Sequence, residues 1–301
     1  MVALGFLAGR RGWVGSQSGR DLSNLVFLLL GPALMFRSMA AVHPEQLDLR
    51  PVAAYFAAAS VLFAGTFVLR GFSRRSALLA MANTYSNAVM IGIPLIGLAY
   101  GASGMVTLLT LVSLHSLVLL TAATVAMELA VAREAAQAGQ GAGRHVATTL
   151  VRAVRNAVVH PVPIPIILGL LYGQTGWAIP PIVDKPLQLL GQAFGPLALI
   201  MVGITLAHTR IGDQLRGALA LTGVKNLLHP LLVALIGLLL GVDSLPLQVM
   251  VIASSLPIGA NVFLLAQRYQ VAQPLATAAV AVSTALGLLT VSLVLVLARL
   301  L

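Results

Sequence analysis

No cysteine occurs anywhere in the chain. Disulfides and thiolate metal ligands are therefore excluded, and the redox compartment leaves no mark on the composition. Acidic residues are nearly as scarce, 8 Asp and Glu in 301 residues. Charged residues of both signs make up 9% of the chain, against about 25% in a soluble domain. None of the acids falls in the central part of an apolar segment. That argues against a cation/proton antiporter, which needs a buried carboxylate to exchange protons for cations. No HExxH motif and no phosphate-binding loop is present, so neither a metal nor a cofactor is expected. His115 and Ser116 are neighbours in sequence and point different ways on a helix, so they do not make the nucleophile–base pair that an intramembrane enzyme would need.

What the chain has instead is hydrophobic residues, 59% of the total, gathered in runs near the ~20 residues that span a bilayer as a helix. The runs are Met1–Gly9, Leu22–Ala41, Val52–Leu69, Ala77–Tyr100, Val106–Ala130, Ala157–Tyr172, Leu187–Ala207, Ala218–Leu240, Leu247–Gln267 and Leu275–Leu297. Ten segments in an all-α membrane protein are expected, the first too short to cross alone. That first run has neither a basic start nor a small-residue cleavage site, so it does not read as a signal peptide.

The net charge of +10 is a matter of topology rather than of nucleic acid. Alternate loops hold Arg10, Arg11, Arg20, Arg70, Arg74, Arg75, Arg133, Arg144, Arg152, Arg155, Arg210, Arg216 and Arg268, while the opposite side holds Arg50, Lys185 and Arg299. This bias is the positive-inside pattern. It implies a multi-pass protein of the cell (inner) membrane with both termini on the non-cytoplasmic side.

The two halves resemble each other. "LGFLAGRRGW" at Leu4–Trp13 matches "LGLLYGQTGW" at Leu168–Trp177 in six columns, and the tryptophans of the pair are the 2 in the chain. At the same offset Gly31 and Pro32 fall on Gly195 and Pro196, and Pro94 falls within one residue of Pro257. Five spans separate the copies, so the second must be inverted. Arg10 and Arg11 accordingly become Gln174 and Thr175. The expected organisation is a first repeat over residues 1–130, a cytoplasmic linker over 131–156 and a second, inverted repeat over 157–301. The first helix is expected to be truncated, because its repeat mate begins near Ala157 and the matching start would precede Met1.

Polar residues and helix breakers interrupt two equivalent segments. "NTYSNAVMIGIPLIGLAYG" spans Asn83–Gly101, and "SSLPIGANVF" spans Ser254–Phe263. In lipid, backbone groups freed by a break must be satisfied by protein or by a water-lined cavity. Paired interrupted segments in an inverted repeat point to a transporter's binding site. Half-helix N–H groups there suit anions, and freed carbonyls suit cations.

At these residues the chain resembles the auxin efflux carrier family, in particular its bacterial malonate-transporter-like branch. The resemblance runs through "NTYSNAVMIGIPLIGLAYG", "LHSLVLLTAATVAMELA", "NAVVHPVPIPIILGLLYG", "PLALIMVGITLA" and "SSLPIGANVFLLAQRY". It implies two inverted five-helix repeats, with crossover helices four and nine meeting at their prolines, in a fold shared with bile-acid/sodium symporters. It further implies a scaffold domain, a moving transport domain, a homodimer, and a small organic acid such as auxin or malonate as substrate. The long loop of many plant carriers is missing, so regulation through it does not carry over. The alternatives are a sodium-coupled bile-acid-type symporter and a membrane receptor or channel that transports nothing.

The substrate-binding candidates are Asn83, Asn87, Pro94, Ser254, Ser255, Pro257 and Asn261. Asn83 and Asn87 lie one helical turn apart and can share a face. Thr84 and Ser86 are weaker, since hydroxyls often bond their own helix. Lys225 and Arg37 lie inside apolar segments and are candidates for attracting an anion. Arg37 can snorkel outward, whereas Lys225 is deeper and shares a face with His229. His115 and His160 are expected to satisfy local carbonyls, and Glu128 and Gln267 to be solvated at segment ends.

The inverted topology is open to direct test in this cysteine-free background. Single cysteines at Gly139 and Thr175 should react with an impermeant thiol reagent from opposite sides of the membrane. Labelling of both from one side would overturn the inversion.

Overall fold

The computed structural model describes residues 1–41, 48–137, 163–209 and 212–301. Among them all regular structure is helical, apart from one isolated antiparallel bridge between Ser86 and Ile258. Among the described residues six stretches are long and apolar enough to cross a bilayer: Gln17–Ala40, Arg50–Arg70, Ala88–Glu134, Pro181–His208, Gly212–Leu239 and Gln273–Ala298. The molecule is a multi-pass membrane protein. Large apolar side chains that water would not tolerate are turned outward, such as Leu69, Leu98 and Ile182 at more than four-fifths exposed. Most of the linker expected over residues 131–156, and His160, lie outside the described residues.

In chain order the helices are α1 (Val2–Arg10), α2 (Ser16–Leu25), α3 (Gly31–Ala40), α4 (Arg50–Arg70), α5 (Arg74–Thr84) and α6 (Ile93–Gln137). Then follow α7 (Pro163–Gly173), α8 (Pro181–His208), α9 (Leu215–Gly223), α10 (His229–Leu239), α11 (Ser244–Ser255), α12 (Asn261–Arg268) and α13 (Gln273–Ala298). Wide π-helical turns at Val26–Leu30, Ala88–Gly92 and Val224–Leu228 lead into α3, α6 and α10. Each of those helices has proline as its second residue: Pro32, Pro94 and Pro230. Proline lacks the N–H that would bond back one turn, and a π turn absorbs the mismatch without ending the helix. α6 is two helices joined at Gly101, whose φ of 60° and ψ of −146° leave the helical region. Its 45 residues at about 1.5 Å each exceed twice a hydrocarbon thickness of ~30 Å, so the chain must turn there.

This accounts for one departure from the sequence reading. The first broken segment does not break at Pro94, which lies in continuous helix behind a π turn. It breaks at Tyr85–Asn87, between α5 and Ala88. The second breaks between Ser255 and Asn261, where Pro257 was expected to act.

Contacts divide the chain into two units interleaved in sequence. The first comprises Met1–Leu49, Ala88–Ser113 and His160–Thr209. Within it α1 packs on α8 and α7 packs on α3, so the opening helix of each half lies against the second helix of the other. Glycine makes these contacts close. A Cβ on Gly203 would sit 2.0 Å from the Val2 carbonyl oxygen, and one on Gly5 2.0 Å from that of Ile200. A Cβ on Gly169 would sit 2.5 Å from the Phe36 oxygen. With no water to expel, association in lipid depends on such close backbone approach.

The second unit comprises Arg50–Asn87, Leu114–Val159 and Arg210–Leu301. In it α4 packs on α5 and α10, α11 on α10 and α13, and α9 on α13. Both helix breaks border this unit's core.

Gly203→Val should force α1 away from α8 and cost at least the roughly 1–3 kcal/mol of ordinary overpacking. Gly65→Ala, in α4 with nothing within 4 Å of the new Cβ, should be neutral or stabilising by up to about 1 kcal/mol. Thermal unfolding of the two variants in detergent would compare them. Equal melting temperatures would refute the close contact.

Candidate functional site

The two breaks meet in the second unit as a minimal antiparallel pair. The Asn87 N–H donates to the Pro257 carbonyl at 2.8 Å, and the Gly259 N–H donates to the Tyr85 carbonyl at 3.0 Å. Several of the remaining freed groups find side chains. The Ile258 N–H donates to Ser283 Oγ at 3.0 Å, and the Ser86 N–H to His115 Nε2 at 3.3 Å. Tyr55 donates its hydroxyl to the Thr84 carbonyl at 3.3 Å. Gly259 is needed for proximity, because a Cβ there would lie 2.7 Å from the Tyr85 ring. Pro257 similarly requires Gly287, whose Cβ would fall 2.6 Å from the Pro257 ring.

Lys225 completes this pairing. It is fully buried, and its ammonium donates to the Ser254 and Leu256 carbonyls at 2.5 and 2.8 Å. These are C-terminal carbonyls of α11, where the helix dipole places partial negative charge. Lys225 therefore caps the broken half-helix. The contact observed for this candidate anion-attracting residue is a structural one.

The sequence candidates divide into committed and uncommitted groups. Asn83 is buried and donates to Thr66 Oγ1 at 3.0 Å. Ser254 and Ser255 return their hydroxyls to the Val251 and Ile252 carbonyls of their own helix, and Thr84 does the same to Ala80. Asn261, the first residue of α12, donates to the Tyr85 hydroxyl at 2.6 Å. Asn87 is different: its backbone N–H is in the pairing, its side chain is half-buried, and that side chain makes no hydrogen bond with the described residues. Pro94 belongs to the first unit. There it faces Gly195 and helps line an apolar groove of about 490 Å³ with Ile93, Gly97 and Pro196.

Arg37, the other cationic candidate, is held by the protein's own carboxylate. Its Nε and Nη2 donate to Asp184 Oδ1 and Oδ2 at 2.6 and 3.1 Å, a bidentate pair in the first unit. Glu128 accepts the Tyr269 hydroxyl at 2.5 Å rather than standing solvated. Burial and that bond both push the Tyr269 hydroxyl up from the usual tyrosine range. Gln267 is exposed, as expected. His115 does not serve a carbonyl; its Nε2 accepts the Ser86 amide and lies 3.1 Å from the Tyr55 hydroxyl.

Several residues of the site carried little signal in the sequence. Tyr85 is its hub, bonded to Asn261 and to Ser116 Oγ at 2.8 Å. Tyr55 bonds Ser86 Oγ at 2.9 Å. Asn226 reaches from beside Lys225 to the Ser283 carbonyl and Thr290 Oγ1 on α13, at 3.3 and 3.0 Å. The visible clue was the polar cluster "KNLLH" at Lys225–His229 inside an apolar segment.

A polar, broken-helix crossing buried in a multi-pass protein is the architecture of transporters, and sequence comparison agrees. The profile of the family described as "Membrane transport protein" matches residues 1–295. The chain belongs to this family. It is the auxin efflux carrier family that the quoted segments resemble. A Rhizobium meliloti (strain 1021) protein named "Putative malonate transporter" is 26% identical over 306 residues, covering 99% of this chain and 93% of its own. "Uncharacterized transporter YfdV" of Escherichia coli (strain K12) is 26% identical over 292 residues, covering 94% and 90%. A Shigella flexneri protein of that name matches to the same extent. The family and these relatives are transporters, not enzymes.

Within this membrane transport protein, the crossing's stability should depend on Tyr85. Tyr85→Phe removes the shared partner of Ser116 and Asn261, two bonds worth roughly 0.5–1.5 kcal/mol each. The variant should fold and melt at a lower temperature. A double-mutant cycle with Asn261→Ala should show coupling between the two positions, and strict additivity would place Asn261 elsewhere.

Proposed function

We propose that this protein is a secondary active transporter that moves a small organic acid anion, a malonate-like carboxylate, by alternating access. The observation that carries the reading is the Asn87 amide. It is the crossing side-chain amide with no hydrogen-bond partner among the described residues, set beside the backbone pairing and in the same unit as the start of α12. Amide N–H₂ groups and half-helix N–H groups are donors suited to a carboxylate. The name of the Rhizobium meliloti relative supports malonate as the acid to try first.

The same reading takes the chain as ten spans in two inverted repeats in the inner membrane, with both termini non-cytoplasmic, and as a homodimer. The reciprocal packing of α1 on α8 and α7 on α3 supports the repeat. So does the order of helices around the two breaks, which is alike in both halves. Sodium coupling of the bile-acid type is the second reading. It is less well supported, because the carbonyls of Ser254 and Leu256, which a sodium ion would use, already receive Lys225.

Asn87→Ala should weaken malonate binding to the purified, folded protein. A hydrogen bond to a charged group is worth roughly 1.5–3 kcal/mol, so affinity should fall about tenfold to a hundredfold. Asn83→Ala, which removes a bond to Thr66, should lower thermal stability instead. Unchanged binding by Asn87→Ala would move the site away from the crossing.

A further inference from the structure

Four side chains of the second unit carry buried polar atoms with no partner among the described residues: Asn83, Thr121 and Asn226 by one oxygen each, and His229 by both ring nitrogens. His229 is fully buried. An unpaired polar atom is destabilising in a protein interior, and such atoms are rare enough to need a reason. The surroundings limit what that reason can be. Lys225 lies one turn earlier on the same stretch, with Asn226 beside it. The Tyr55 ring of α4 packs edge-on, its centroid 5.0 Å from that of His229. Tyr55 in turn lies 5.8 Å from the His115 ring, and His115 4.5 Å from that of Tyr85. The neighbouring helices α11 and α13 contribute no titratable side chain. The cluster therefore holds one lysine, two histidines and two tyrosines, with no carboxylate among the hydrogen-bond partners of any of them.

Resting on the proposed transport of a carboxylate, we propose that His229 is the proton-carrying group of the cycle and that the acid moves together with a proton. His229 can take one up without breaking a bond to any described residue, because neither of its nitrogens has a partner among them. His115 cannot, because its Nε2 already accepts the Ser86 N–H. The lone pair of a His229 ring nitrogen receives the proton, and the imidazole becomes an imidazolium of charge +1. Among the described residues no acidic side chain compensates this charge beside Lys225, and burying it alone is strongly unfavourable. An anion at the crossing supplies the missing negative charge. Proton and carboxylate therefore favour each other's binding, and by linkage the effect is reciprocal. Release of the acid leaves two positive groups one helical turn apart and expels the proton.

The test uses the full chain in proteoliposomes with malonate as probe, the membrane potential clamped at zero. Coupling to one proton predicts about tenfold malonate accumulation for a gradient of one pH unit. His229→Gln keeps the shape of the ring's polar edge but cannot carry the proton. It should still catalyse malonate counterflow at equal pH, at a raised half-saturation concentration because the proton no longer favours the anion, while pH-driven accumulation falls about tenfold to the level of simple equilibration. Counterflow retained together with undiminished pH-driven accumulation would overturn the role of His229. Wild-type counterflow that ignores the pH gradient would overturn proton coupling itself. Absence of wild-type counterflow would instead overturn malonate transport, and the coupling with it. Should His229→Gln fail to fold, titration calorimetry of wild-type protein in two buffers of different ionisation enthalpy decides the matter. Malonate binding should take up protons, and equal heats in the two buffers would refute the inference.

Discussion

Two backbone hydrogen bonds, Asn87 to Pro257 and Gly259 to Tyr85, are the constraint around which the second unit is arranged. A helix broken in a bilayer exposes N–H and C=O groups, and each one left unpaired costs several kcal/mol. Two broken helices crossing at their gaps can pair some of these groups with each other, as a sheet would. The pairing reaches only Ser86 and Ile258, so the flanking groups need side chains. Ser283, His115, Tyr55 and Lys225 meet that need from four different helices. Buried hydroxyls and amides in the surrounding helices are therefore consequences of the break.

Lys225 shows how charge enters such a core. A lysine is normally kept out of the bilayer interior. Here the acceptors are carbonyls at the C-terminal end of α11, where the dipole is negative. Carbonyls carry only partial charge, so the ammonium is satisfied in hydrogen bonding without being neutralised. The first unit handles charge in the opposite way, matching Arg37 with Asp184 in a bidentate pair that needs no further partner. Its cohesion comes from glycines at Gly5, Gly169 and Gly203, which bring backbones into contact.

Much of the fold was legible because bilayers impose length and composition. The segment read as Val52–Leu69 is α4, Arg50–Arg70, and Leu275–Leu297 is α13, Gln273–Ala298. That two segments are broken could also be read from their amides, prolines and glycines. Where the first one breaks could not. Pro94 drew attention as a helix breaker, but a π turn hides its missing N–H, and the chain parts at Tyr85–Asn87 without any proline. The true signal was the polar run "NTYSN" itself. Within the site, composition could name Asn83, Asn87 and Asn261 but not rank them. Ranking depends on which partner each amide meets across the fold, and Thr66 and Tyr85 are ordinary residues until tertiary contact brings them together. His229 was visible only as a companion of Lys225, since an unpaired nitrogen is a property of packing and leaves no trace in spacing.

The hydrogen-bond accounting of the crossing also separates structure from function. Asn261, Ser254, Ser255, Thr84, Lys225 and His115 have protein partners, and Asn83 has one for its N–H₂ though not for its Oδ1, so most of the cost of placing them in the membrane is offset within the fold. A polar group that contributes nothing to the fold yet sits beside this network has no such compensation, and hydrophobic replacement would be more stable. Asn87 is in that position on the half-buried side of the crossing, and His229 on the fully buried side. One is an uncharged donor suited to a carboxylate. The other is an imidazole whose ring nitrogens have no hydrogen-bond partner among the described residues. A transported anion and its proton would require that pair of properties, held apart from the groups that maintain the break.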